Sequence, residues 1–150
     1  MQEKSVNPMT VFYYSQTTTL RKISEVADQE IPKMMEEASK LQLEEVAPMV
    51  FRYIGCTEDL DKEFKLEIAM VVKEAKESNG KYGFKKFEPF KCMSHIYKGD
   101  INKIGEEYKK IMPPLFQSGK QPSNEIREVY TKYIDMTSAE NITEIQIGLN

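Results

Sequence analysis

The sequence predicts an α+β domain, an antiparallel sheet with its helices on one face. Three observations lead there. Two stretches place apolar residues at the three-and-four spacing of a helix face. Six others alternate or run apolar over strand lengths. The order strand-helix-strand-strand then occurs twice, and two such units can pair their sheets with both helices on one side. At 150 residues the chain is expected to be one domain, 1–150, burying roughly two-thirds of its unfolded surface.

Residues 10–15 read as the first strand, with Val11, Phe12, Tyr13 and Tyr14 in succession. Leu20, Ile23, Ala27, Ile31, Met34, Met35, Ala38 and Leu41 follow as a helix stripe, with Glu30, Lys33 and Glu36 on the solvated face. Ser24 is the expected N-cap, and Pro32 suggests that regular helix begins only near Ile31. Residues 47–54 and 65–72 read as an antiparallel strand pair around an acidic loop. The polar segment 73–83 reads as a linker. Extended chain over 84–97, broken at Pro89, leads through Gly99-Asp100 into a second stripe: Ile101, Ile104, Tyr108, Ile111, Met112 and Leu115. Pro113-Pro114 should kink or end that helix, with Gly119 as a stop. Residues 125–133 and 142–149 close the chain as strands.

The two halves, 10–72 and 84–149, align at a shift of 77 residues. Tyr53 maps to Tyr130, Phe51 to Glu128, Met49 to Ile126, and Glu67-Ile68 to Glu144-Ile145. In the helices Ile31 maps to Tyr108, Met34 to Ile111 and Met35 to Met112. Side chains alternate along a strand. Val50 and Val129 are expected to face the helices. Met49, Phe51, Tyr53, Ile126, Glu128 and Tyr130 are expected to face the other way, lining a groove between the halves. A carboxylate on that apolar face needs water or a cationic partner, and Arg52 and Arg127 are the candidates in the chain.

A formal net charge of -3 argues against binding nucleic acid through phosphates. Two cysteines, Cys56 and Cys92, are expected to be free thiols in a reducing cytoplasm. No stretch approaches the ~18 apolar residues of a membrane span, and none resembles a signal peptide. His95 is the lone histidine, so neither a metal nor a haem is expected, and no other cofactor is implied. Met34, Met35 and Met112 are expected in the core. Glu67 and Glu144 are expected in surface pairing or at sheet edges.

Short motifs in this order resemble the GyrI-like domains, the effector-binding domains of AraC-type and MerR-type bacterial regulators. They are His95-Ile96-Tyr97-Lys98-Gly99 at the turn into the second helix, Tyr108 with Ile111 and Leu115 on it, Glu128-Val129-Tyr130, and Thr143-Glu144-Ile145. The resemblance runs from about Thr10 to Leu149. It implies two strand-helix-strand-strand repeats around a pseudo-two-fold axis. It also implies a groove that takes up lipophilic, often cationic, small molecules against aromatic residues and an acid, here Glu128. The chain departs from the pattern in having no Trp, in Pro113-Pro114, and in showing no DNA-binding domain; the expectation is a stand-alone binding module. Relatives that hydrolyse reactive electrophiles suggest an alternative, with Glu128 as general base and Tyr130 or Tyr53 as proton donor. Relatives that inhibit gyrase suggest a protein partner as a third reading.

Overall fold

The structure is a computed structural model that describes residues 1–78 and 80–150. Its strands are β1 (Gln2–Val6), β2 (Met9–Thr18), β3 (Glu45–Ile54), β4 (Phe64–Val72), β5 (Gly83–Phe87), β6 (Phe90–Lys98), β7 (Pro122–Lys132) and β8 (Ile142–Leu149). Helices α1 (Ile23–Lys40) and α2 (Ile104–Gln117) each follow one turn of 3-10 helix. The strands form one antiparallel sheet in the order β1-β6-β8-β7-β3-β4-β2-β5. The strand-helix-strand-strand order therefore occurs twice. β3 and β7 meet at the middle, Val50 opposite Val129 and Phe51 opposite Glu128. The described residues include no helix long and apolar enough to cross a membrane.

Both helices lie on one face. Val26, Met34 and Ala38 of α1 pack on Phe12, Phe51, Tyr53, Leu66 and Ile68. Ile111 and Leu115 of α2 pack on Ile145 and Ile147. This reverses the expected assignment of faces. Val50 and Val129 lie on the side without helices, with Val11, Ala69, Val71 and Phe87. The reason is polarity: that side also carries Arg52, Glu67, Arg127 and Gln146, which a helix stripe would leave unpaired. The Phe51, Tyr53 and Ile68 side offers the continuous apolar surface that a helix stripe needs.

The helices also begin and run differently from expectation. α1 starts at Ile23 with Lys22 at the N-cap position, and Ser24 does not cap it. It continues through Pro32, and α2 continues through Pro113 and Pro114 to Gln117. Each proline removes a bond to the carbonyl four residues earlier, at Asp28, Lys109 and Lys110. All three of those residues are exposed, which places the orphaned carbonyls on the solvent side of each helix, where an unmade bond is cheap. Met34 is core, whereas Met35 is 47% exposed. Glu30 is buried and bonded to Lys81, not solvated. β1 is a strand that the sequence pattern does not reveal. Its residues are polar and mostly exposed, and backbone pairing with β6 alone makes it extended.

Across the sheet from the helices lies an ion network. Arg52 donates to Glu67 (2.7 Å) and twice to Glu125 (2.8 and 3.0 Å). Lys85 donates to Glu67, and Arg127 to Glu125 (2.7 Å). Glu67 is therefore fully buried in the network, not a surface or edge residue. Glu144 accepts from Lys4 and Ser94 nearby.

Two predictions follow from this packing. Burial pushes the Glu67 and Glu125 carboxyls up, but the bonds from Lys85, Arg52 and Arg127 outweigh it and hold both below the ordinary 4.5. Their contribution to stability is thus complete above that value and is lost as pH falls through the lower folded-state value. Urea unfolding at about pH 7 and about pH 3.5 should show this loss, and Arg52→Met should shrink it while lowering stability at neutral pH. At Gly148 an added Cβ would sit 2.7 Å from the Glu125 carbonyl and 2.9 Å from the Phe90 ring, because β7 shifts register between Pro122 and Ile126. Gly148→Ala should cost about 1–3 kcal/mol, whereas Gly105→Ala, in open space on α2, should stabilise by about 0.4–1 kcal/mol.

Candidate functional site

Glu128 stands on β7 at the centre of the sheet, on the helix side, and is 4% exposed. Three tyrosine hydroxyls donate to it. Tyr53 on β3 (2.8 Å) and Tyr130 on β7 (2.7 Å) reach Oε1. Tyr108 on α2 (2.7 Å) reaches Oε2. Each arrives by a local rule. Strand alternation sets Glu128 and Tyr130 two residues apart on one face. The β3–β7 register places Phe51 opposite Glu128 and Tyr53 opposite Ile126. The α2 stripe, running through Ile104, Tyr108, Ile111 and Leu115, carries the Tyr108 ring over the carboxylate.

The walls are aromatic. The Phe51 and Tyr130 rings meet edge to face at 5.0 Å, and Tyr53 stacks on Phe64 at 5.6 Å. Met49 and Ile126 pack into the same cluster. All six residues predicted to line a groove are thus together, but between the helices and the sheet. Sequence reasoning missed Tyr108 as a site residue and assigned it to the helix stripe. The available signal was its hydroxyl on an otherwise aliphatic stripe, which needs a partner once covered.

The electrostatics are uneven. Burial first, and the Glu128 charge second, push the Tyr53, Tyr108 and Tyr130 hydroxyls well above the usual tyrosine range, so they remain donors. The same two causes push the Cys56 thiol up to about 11, leaving it unreactive. Among the described residues no Lys, Arg or His forms an ion pair with Glu128. Arg52 and Arg127, the expected partners, lie on the opposite face with Glu67 and Glu125. Two surface clefts, of about 260 and 200 Å³, are lined by other residues. Tyr108 caps the carboxylate, so anything that touches Oε2 must displace it.

His95 Nε2 lies 2.6 Å from Glu107 of α2. Among the described residues no group of His, Cys, Asp and Glu could hold a metal ion. Cys56 and Cys92 are free thiols.

Tyr108→Phe leaves Oε2 buried without its donor, and should lower the unfolding free energy by about 1–3 kcal/mol. In Glu128→Gln the same change should cost less. The difference, read from a double-mutant cycle in urea, should be about 0.5–3 kcal/mol.

No protein-family model matches the chain, and neither does any curated protein sequence. Solved structures do. The EcmrR C-terminal domain matches with a TM-score of 0.81 at 22% identity, over 99% of this chain and 95% of that one. In the EcmrR–DNA complex the chain spans 56% of the EcmrR chain, again over 99% of its own length, at 21% identity and TM-score 0.81. SAV2435 bound to tetraphenylphosphonium matches with a TM-score of 0.68 at 18% identity, over 99% of this chain and 93% of that one. A hydrolase from Listeria innocua matches with a TM-score of 0.60 at 9% identity, over 99% and 92%. The chain has the fold of the EcmrR C-terminal domain and of SAV2435, the GyrI-like architecture that its sequence motifs resemble.

Proposed function

We propose that the chain is a binding module for lipophilic cations, which enter between α1 and α2 and rest against Glu128. One observation carries this reading: Glu128 is buried, accepts from three hydroxyls, and has no cationic partner among the described residues. Hydroxyl dipoles solvate a carboxylate but do not neutralise it. A cation with an apolar body supplies the missing charge without the dehydration cost of a small ion, and its body covers Phe51, Tyr53, Met49 and Ile126. The faces of Tyr53, Tyr130 and Phe51 add attraction for the same cation. Such a site selects on charge and shape with few directional bonds, so it should accept many related compounds. The tetraphenylphosphonium carried by SAV2435, itself a lipophilic cation, supports the reading. The two units are read as copies of one ancestor, of which only the second has a carboxylate at this position.

The fold match to a hydrolase favours a second reading, with Glu128 as base and a tyrosine as acid. The geometry weakens it. Three tyrosine hydroxyls already occupy the carboxylate oxygens, so a water to be activated would have to displace one of them.

The first reading is tested by calorimetric titration of tetraphenylphosphonium and of neutral triphenylphosphine oxide into wild type and Glu128→Gln. The cation should bind wild type and lose roughly tenfold or more in the variant, while the neutral compound is unchanged. Equal behaviour of both compounds in both proteins would refute the role of the carboxylate. Turnover of an electrophilic ester by wild type, absent in the variant, would favour the hydrolase.

A further inference from the structure

We propose that the opposite face of the sheet carries a second, separate site, for a small oxyanion such as a carboxylate or phosphate group, at the cleft beside Arg127. The cleft measures about 200 Å³ and is lined in part by Arg52, Lys85, Lys86, Phe87, Phe90 and Arg127. Strand alternation points Arg127 away from the groove that holds its chain neighbour Glu128. The two sites therefore use different faces.

Arg127 is the centre of the argument. It is 2% exposed, and its guanidinium lies 4.0 Å from the Phe90 ring centre and 4.9 Å from that of Phe87. A guanidinium has five N–H donors. In Arg127 the Nε donates to Glu125, while Nη1 is buried and has no partner. The neighbouring carboxylates do not bond it, being turned to other donors. Glu125 already accepts two bonds from Arg52, and Glu67 accepts from Arg52 and Lys85. Lys65 also lies 3.7 Å from Glu67.

The charge count points the same way. Arg52, Lys65, Lys85 and Arg127 set four cations against Glu67, Glu125 and the exposed Glu88 on this side of the sheet, so the cations exceed the carboxylates by one. An oxyanion there would meet cations on three sides. It would also complete a guanidinium stacked on Phe rings, the geometry that favours planar oxyanions. Burial pushes the Arg127 guanidinium down from its ordinary value, consistent with a cation short of partners.

The test is an NMR titration of the whole chain with sodium acetate and, separately, inorganic phosphate, at ionic strength held constant with sodium chloride. The signals read are the Arg127 Nε–H and the backbone amides of Phe87 and Phe90. Saturable shifts with either anion support the site, and the anion that saturates identifies the preferred group. Lys85→Gln, which leaves Glu67 its bond from Arg52, should weaken that binding roughly threefold. Arg127→Lys, which keeps the charge but loses the planar fork, should abolish saturation if it folds. Shifts that stay linear with both anions, or an affinity unchanged in Lys85→Gln, would overturn the proposal, whatever the fate of Arg127→Lys. Neither result depends on ligand binding at Glu128.

Discussion

The antiparallel pairing of β3 with β7 is the constraint on which the rest depends. It joins the two strand-helix-strand-strand units at the middle of the sheet, Val50 against Val129 and Arg52 against Arg127. Because side chains alternate, one register decides both faces at once. On the helix side it sets Phe51 beside Glu128 and brings Tyr53 within bonding distance of the carboxylate. On the other side it brings the two arginines together around Glu125. A slip of one residue would put Glu128 among the cations and leave Arg127 facing the helices. Two buried ionic groups would then lose their partners, which makes the register strongly specified.

The two faces solve the problem of buried charge differently. The outer face uses ion pairs: Glu67 and Glu125 are held by arginine and lysine, with the Phe87 and Phe90 rings packed on the guanidiniums. The helix side uses neutral donors. Three tyrosines satisfy Glu128 geometrically and leave its charge available. One of them comes from α2, so the position of that helix and the burial of the acid are coupled through one hydroxyl. His95 on β6 meets Glu107, the residue before Tyr108, and helps to hold the same helix turn.

Much of this was legible in the sequence. The apolar runs and alternation, the helix stripes and the 77-residue shift locate seven of the eight strands and both helices. The same pattern gathers Met49, Phe51, Tyr53, Ile126, Glu128 and Tyr130 on one face. β1 was not legible because Gln2–Val6 is polar and gains its conformation only from β6, some ninety residues away. The prolines misled for a related reason. Helix propensity counts the lost bonds at Pro32, Pro113 and Pro114 but not the solvent exposure that makes them cheap.

Periodicity determines which residues share a face, because the backbone repeat is a local property of each strand. On that basis the sequence by itself determined the fold class and the membership of the cluster around Glu128. It did not determine which face the helices cover, since that follows from comparing two whole surfaces assembled from distant strands. Nor did it reveal Tyr108 as the third donor, because a helix and a strand twenty residues apart meet only through packing. Tertiary structure thus decided that the acid is capped by hydroxyls and kept apart from Arg52 and Arg127. That separation gives Glu128 a charge without a counter-charge.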